Sequence, residues 1–141
     1  MGYKYRHSIE RVKREINDMN LTKNFNVKEF DCKDGSNTPP DVRFNLQVLA
    51  NNLQVLRDHI DMPIHINSGY RSPSYNERIG GVKNSQHLLG NAADITTKKY
   101  SSGGLAAVIE KLIEEGKMKQ GGLGIYPGFV HYDIRETKAR W

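Results

Sequence analysis

The chain has 141 residues, room for one ordinary domain and too little for two. Hydrophobic residues make up 37% and charged ones 26%, which excludes a collagen-like or grossly disordered chain, and no apolar run approaches the ~20 residues of a membrane span. The net charge of +5 is uneven: residues 1–28 hold seven Lys/Arg and three acids, and the rest hold fourteen against thirteen. A basic contact face with aromatic or motif support is missing, so nucleic acid is not an expected partner. The single cysteine, Cys32, excludes an internal disulfide and a cysteine-based zinc cluster. No apolar leader segment is read at the start, so no secretory signal peptide is expected.

From Ser8 to about Asn20, Ile9, Val12, Ile16 and Met19 recur at helical spacing, which predicts an amphipathic helix in a basic extension. Thr22 to Pro40 reads as irregular, ending in turn and breaker residues. A long helix follows over about Asp41 to Asp61, with Leu46, Leu49, Leu53, Leu56 and Ile60 as its apolar stripe, Asp41 as its cap and Pro63 beyond its end. Ile64-His65-Ile66-Asn67 alternates as a half-buried strand does. Ser68 to Leu89 reads as loop, and Ala92 to Thr96 as a short strand. Leu105, Val108, Ile109, Leu112 and Ile113 predict a second helix closed by Gly116. Gly121 to Tyr126 and Phe129 to Arg135 predict a hairpin turning at Pro127-Gly128. An antiparallel end after irregular alternation of helices and strands predicts an α+β fold.

The chain has five histidines. His7 and His59 read as solvated, and His65 points away from the strand face that carries Ile64 and Ile66. His87 and His131 differ. His87 precedes Gly90, a small-residue strand and then Asp94, whose charge between Ala93 and Ile95 is costly unless something pairs with it. In the last strand Val130, Tyr132 and Ile134 share one face, while His131, Asp133 and Arg135 share the other. Such a polar face is also what a solvent-exposed strand presents. Two His and one Asp with water at the fourth position is, however, the layout of a catalytic zinc site.

Several segments together resemble a known family. These are Ser68-Gly69-Tyr70-Arg71-Ser72, Asn76, Gly80-Gly81, Ser85-x-His87, Gly90-x-Ala92-x-Asp94, Gly122-x-Gly124-x-Tyr126 and Val130-His131-x-Asp133. The pattern is similar to that of the M15 peptidases: zinc D-alanyl-D-alanine carboxypeptidases and related peptidoglycan L,D-endopeptidases, among them several phage endolysins. It covers about residues 24 to 141.

The resemblance implies an α+β fold with a small antiparallel sheet carrying the zinc site, packed with helices, as in hedgehog-like domains. With the basic extension, read from charge and helical spacing, set at 1–22, it implies a peptidase domain at 23–141 and one zinc ion held by His87, Asp94 and His131. Arg71 would recognise the substrate's carboxylate or the scissile carbonyl, for which a guanidinium fork is suited. Ser85 would contact substrate or simply form its turn. The chain departs from better-known members where they place an acid three residues before the last His, because that position is Gly128. Asp133 remains, either as the base that takes the attacking water's proton or as the group that orients a ligand His. The expected activity is hydrolysis of a peptide bond in peptidoglycan stem peptides by a monomer acting at the cell wall, as a phage lysis or virion protein or a periplasmic or extracellular enzyme. An inactive zinc-stabilised binding module of the hedgehog-like type is the alternative.

Overall fold

The computed structural model describes residues 9–11 and 19–141. The helix expected over 8–20 falls mostly outside these residues. Ile9, Glu10 and Arg11 are helical and exposed. Met19 and Leu21 pack against the core, and the Leu21 carbonyl accepts from Gln47 Nε2 at 2.6 Å. The chain is therefore tied to the body from before residue 22, the limit drawn for the extension.

Helix α1 spans Pro40–Ile60. Its apolar stripe is the expected one, and Leu46, Leu49, Leu53 and Leu56 are fully buried. Asp41 is not its cap. Pro39 holds that place without a side-chain bond and Pro40 occupies the first turn, where the missing N–H costs nothing. Asp41 lies in that turn, a favourable place for a carboxylate. Truncating Leu53 to Ala in this packed stripe should destabilise the protein by about 2–5 kcal/mol, read from urea unfolding.

Five strands follow: β1 His65–Ser68, β2 Ala92–Thr96, β3 Gly122–Ile125, β4 Val130–Asp133 and β5 Ala139–Arg140. They form one sheet in the order β1-β2-β4-β3-β5. The first three pairings are antiparallel, and β3 with β5 is parallel. The α+β expectation and the β3–β4 hairpin are borne out, with Tyr126 N–H bonding the Phe129 carbonyl at 3.0 Å across the turn. Helix α3 (Ser102–Glu114, following the short helix α2, Pro73–Arg78) packs on β3 and β4 and touches α1. Ala93, Ile95, Leu123, Val130 and Tyr132 form the buried apolar face of the sheet.

Three short helical turns lie in segments expected to be irregular. The 3-10 turn Val27–Phe30 carries a capping box, with Asn26 bonding Lys28 N–H at 3.0 Å and Glu29 bonding Asn26 N–H at 2.7 Å. In α2, Ser72 accepts from Tyr75 N–H at 3.2 Å and Pro73 stands first. The 3-10 turn Gln86–Leu89 begins at Ser85. All three are too short to show periodicity, but their Asn/Ser caps were legible. Strand β5 was also unforeseen. Arg140 anchors it, bonding the Gly121 carbonyl at 2.8 Å and both Glu110 carboxylate oxygens at 2.8 and 2.9 Å.

Candidate metal centre

Sheet register builds the centre. Asp94 on β2 pairs directly with His131 on β4, so both side chains rise from one face. His87 reaches the same point from the 3-10 turn Gln86–Leu89, which runs back into β2 through Gly90. Gly90 has φ +76°, and a Cβ there would lie 2.6 Å from Val42 Cγ1, so only glycine makes this close return. Asp94 and the two histidines are all buried.

One ligand atom from each of His87, Asp94 and His131 lies within 4.8 Å of the others. His87 Nε2 is 3.3 Å from Asp94 Oδ1, and His131 Nδ1 is 3.1 Å from the same oxygen. Donors about 2.0–2.2 Å from a tetrahedral ion sit roughly 3.3–3.6 Å apart, so the observed spacing needs little adjustment. The other ring nitrogens are held from behind. His87 Nδ1 lies 2.7 Å from the Gly69 carbonyl, and an N–H donated there leaves Nε2 with a free lone pair. His131 Nε2 lies 2.7 Å from Asp133 Oδ2, which leaves Nδ1 free in the same way. The donor set fits one divalent ion.

Asp133 is brought to the centre but does not face it. It is 0% exposed, and its carboxylate stands behind His131, on the side of the ring away from Asp94. Oδ1 accepts from the N–H groups of Gly122 and Arg135, at 2.9 and 3.1 Å. Arg135 Nη2 adds a bond to Oδ2 at 2.7 Å. The expectation of a carboxylate that takes a proton from water does not match this geometry, because neither oxygen opens onto the cleft. A Cβ at Gly122 would clash with Asp133 Oδ2, which is why the facing strand carries glycine there.

Electrostatics follow from burial and these contacts. Burial raises the Asp94 carboxyl's proton affinity, but hydrogen bonds from His131 and His87 outweigh it and hold the group well below its ordinary range. Burial lowers the His131 imidazole, yet its bonds to Asp133 and Asp94 leave it raised overall. A metal ion at Nδ1 must displace that proton, so uptake weakens as pH falls through the raised value.

Arg71 stands beside the ligands. Its Nη2 meets Asp94 Oδ2 at 3.2 Å, its Nε donates to Ser68 at 3.1 Å and its Nη1 to Asn76 at 3.3 Å. Three of its five N–H groups are thereby used, and the others remain for a ligand. Ser85 Oγ accepts from His87 N–H at 3.2 Å, so it shapes the turn that carries His87. His59 and His65 are exposed, and His7 lies outside the described residues.

A cleft of about 410 Å³ opens over the centre, lined by Arg71, Ser85, His87, Asp94 and His131 and walled by Tyr126, Phe129, Arg135 and Trp141. The aromatic wall was not foreseen as part of a site. Only the Gly122-x-Gly124-x-Tyr126 alternation hinted at it, because residues 122 and 124 face Asp133 and His131 across the hairpin.

The model of the family described as Peptidase M15 matches residues 20–133. The chain belongs to this family. A relative, the zinc D-Ala-D-Ala carboxypeptidase of Streptomyces albus G, is 34% identical over 99 residues, which is 70% of this chain and 37% of that protein. The M15 chain thus spans little more than a third of that relative's length. Among the described residues, no helix is long and apolar enough to cross a membrane.

Proposed function

We propose that this M15 chain is a zinc-dependent peptidase that hydrolyses a peptide bond in the stem peptides of bacterial peptidoglycan. The observation that carries this reading is the convergence of three buried donor atoms, from His87, Asp94 and His131, at the floor of an open cleft. Zinc held there would polarise the scissile carbonyl and lower the pKa of water. Arg71 has two roles in this scheme: it fixes the outer oxygen of Asp94, and its unused N–H groups receive a substrate carboxylate or carbonyl oxygen. Ser85 and the Gly69 carbonyl aim His87. Asp133, gripped by Arg135, keeps His131 in the tautomer that presents Nδ1. Asp94 is the sole carboxylate among the described residues that line the cleft.

The relative's name makes a D-Ala-D-Ala terminus the first bond to test, and an internal stem-peptide bond the second. Purified protein with measured zinc should convert soluble muropeptides to products resolved by mass spectrometry. Loss of a terminal alanine marks a carboxypeptidase, and two peptide fragments mark an endopeptidase. Chelation should abolish turnover and added zinc should restore it. Intact muropeptides after incubation with stoichiometrically zinc-loaded protein would favour the non-catalytic binding module instead.

A further inference from the structure

We propose that Tyr126 is a catalytic residue whose hydroxyl donates a hydrogen bond to the carbonyl oxygen of the bond being cleaved, with Trp141 holding it in place. This rests on the peptidase reading above. Tyr126 continues the series Gly122, Gly124 just beyond β3, and its ring stacks on Phe129 with centroids 4.6 Å apart and planes 8° from parallel. Its oxygen lies 2.7 Å from Trp141 Nε1. An indole N–H can only donate, so Tyr126 Oη is the acceptor. The phenol's own proton then has no acceptor among the described residues, although the side chain lines the metal cleft.

Trp141 is well placed to hold that orientation. Its backbone bonds β3 in both directions, from Ile125 N–H at 2.9 Å and to the Leu123 carbonyl at 3.2 Å. Its ring lies against Gly124, where a Cβ would come within 2.5 Å of it, and its centroid is 5.0 Å from the ring of His131. The indole therefore ties the Tyr126 hydroxyl to a strand that abuts the ligand His.

The chemistry needs a donor of this kind. Negative charge grows on the carbonyl oxygen as water adds to the carbonyl carbon, and a fixed neutral O–H meets it without giving up its proton. Of the guanidiniums nearby, Arg135 is engaged with Asp133. Arg71 spends three of its five N–H groups on Asp94, Ser68 and Asn76, so a phenol on the aromatic wall adds a donor to the two that Arg71 has left. Removing one preorganised donor to such an oxygen costs about 100- to 1,000-fold in turnover. The competing role, in which Tyr126 only props the wall through its stack on Phe129 and its bond from Trp141, needs no proton donated to substrate.

Tyr126→Phe read beside Trp141→Phe separates the two, because both lose the bond between these side chains and only the first loses the phenol O–H. On a soluble muropeptide, kcat should fall about 100- to 1,000-fold with KM changed less than about threefold and zinc content unchanged. Trp141→Phe keeps an aromatic ring but loses the N–H, and should lower kcat by a smaller factor. Trp141 is the chain's sole tryptophan, so its emission reports cleft occupancy without turnover. A phosphinate analogue of the peptide, a tetrahedral anion, should bind the zinc-loaded Tyr126→Phe protein at least tenfold more weakly than wild type in this titration. Wild-type hydrolysis matched within about twofold by a folded, zinc-loaded Tyr126→Phe protein would overturn the assignment and leave the peptidase reading standing. A zinc-loaded wild type that leaves muropeptides intact would overturn that reading and this assignment with it.

Discussion

Replacing His131 with Ala should drop the zinc content from one ion per chain to near none and take hydrolysis below detection. The imidazole has partners on both sides: Nδ1 faces Asp94 at 3.1 Å and Nε2 faces Asp133 at 2.7 Å. Removing it leaves His87 and Asp94 as the only donors of the cluster, and two protein ligands hold zinc poorly where three are normal for a catalytic site. Metal analysis by mass spectrometry, with circular dichroism to show that the sheet persists, checks this. Stoichiometric zinc in a folded His131→Ala protein would remove that residue from the centre. In the wild type, zinc affinity measured against pH should fall on the acid side, because bonds to Asp133 and Asp94 raise the proton affinity that the metal has to overcome.

Asp133→Asn should weaken zinc binding by roughly 10- to 100-fold, with activity recovered when zinc is raised in proportion. The carboxylate is buried behind the ring, and its oxygens are shared among His131, Arg135 and Gly122. An amide at this position still offers one acceptor but loses the charge that aligns His131 and answers Arg135. A zinc titration monitored by hydrolysis distinguishes this from the base role. A variant with normal zinc affinity and turnover still lower by about two to four orders of magnitude at saturating zinc would restore Asp133 as the base. Stability should fall too, since Arg135 loses its partner, so unfolding is measured on the same sample.

The two roles of Asp133 could not be separated from the chain alone. Alternation along Val130-His131-Tyr132-Asp133 places His131 and Asp133 on one face, and that holds in β4. It does not say which side of the imidazole the carboxylate occupies. That was settled by β3, where Gly122 leaves room and donates its N–H, and by Arg135 folding back onto both oxygens. Arg71 repeats the lesson. Its motif marked it as a substrate group, while its bond to Asp94 is visible only once β1 and β2 are paired.

What the sequence by itself determined is what local periodicity encodes. The 3.6-residue stripe of α1, the two-residue alternation of β1 and β4 and the short apolar run of β2 are properties of consecutive side chains, and the His87-to-Asp94 spacing lies within one turn and one strand. Tertiary structure alone decided the aromatic wall and the parallel strand that brings Trp141 to the cleft. Trp141 is ten positions from His131 along the chain, and a two-residue strand has no periodicity to read. Its position follows from backbone bonds to β3, an anchor between Arg140 and Glu110, and the absence of a side chain at Gly124. Those contacts join segments far apart in sequence, and their energy comes from surfaces that meet only after the sheet has formed.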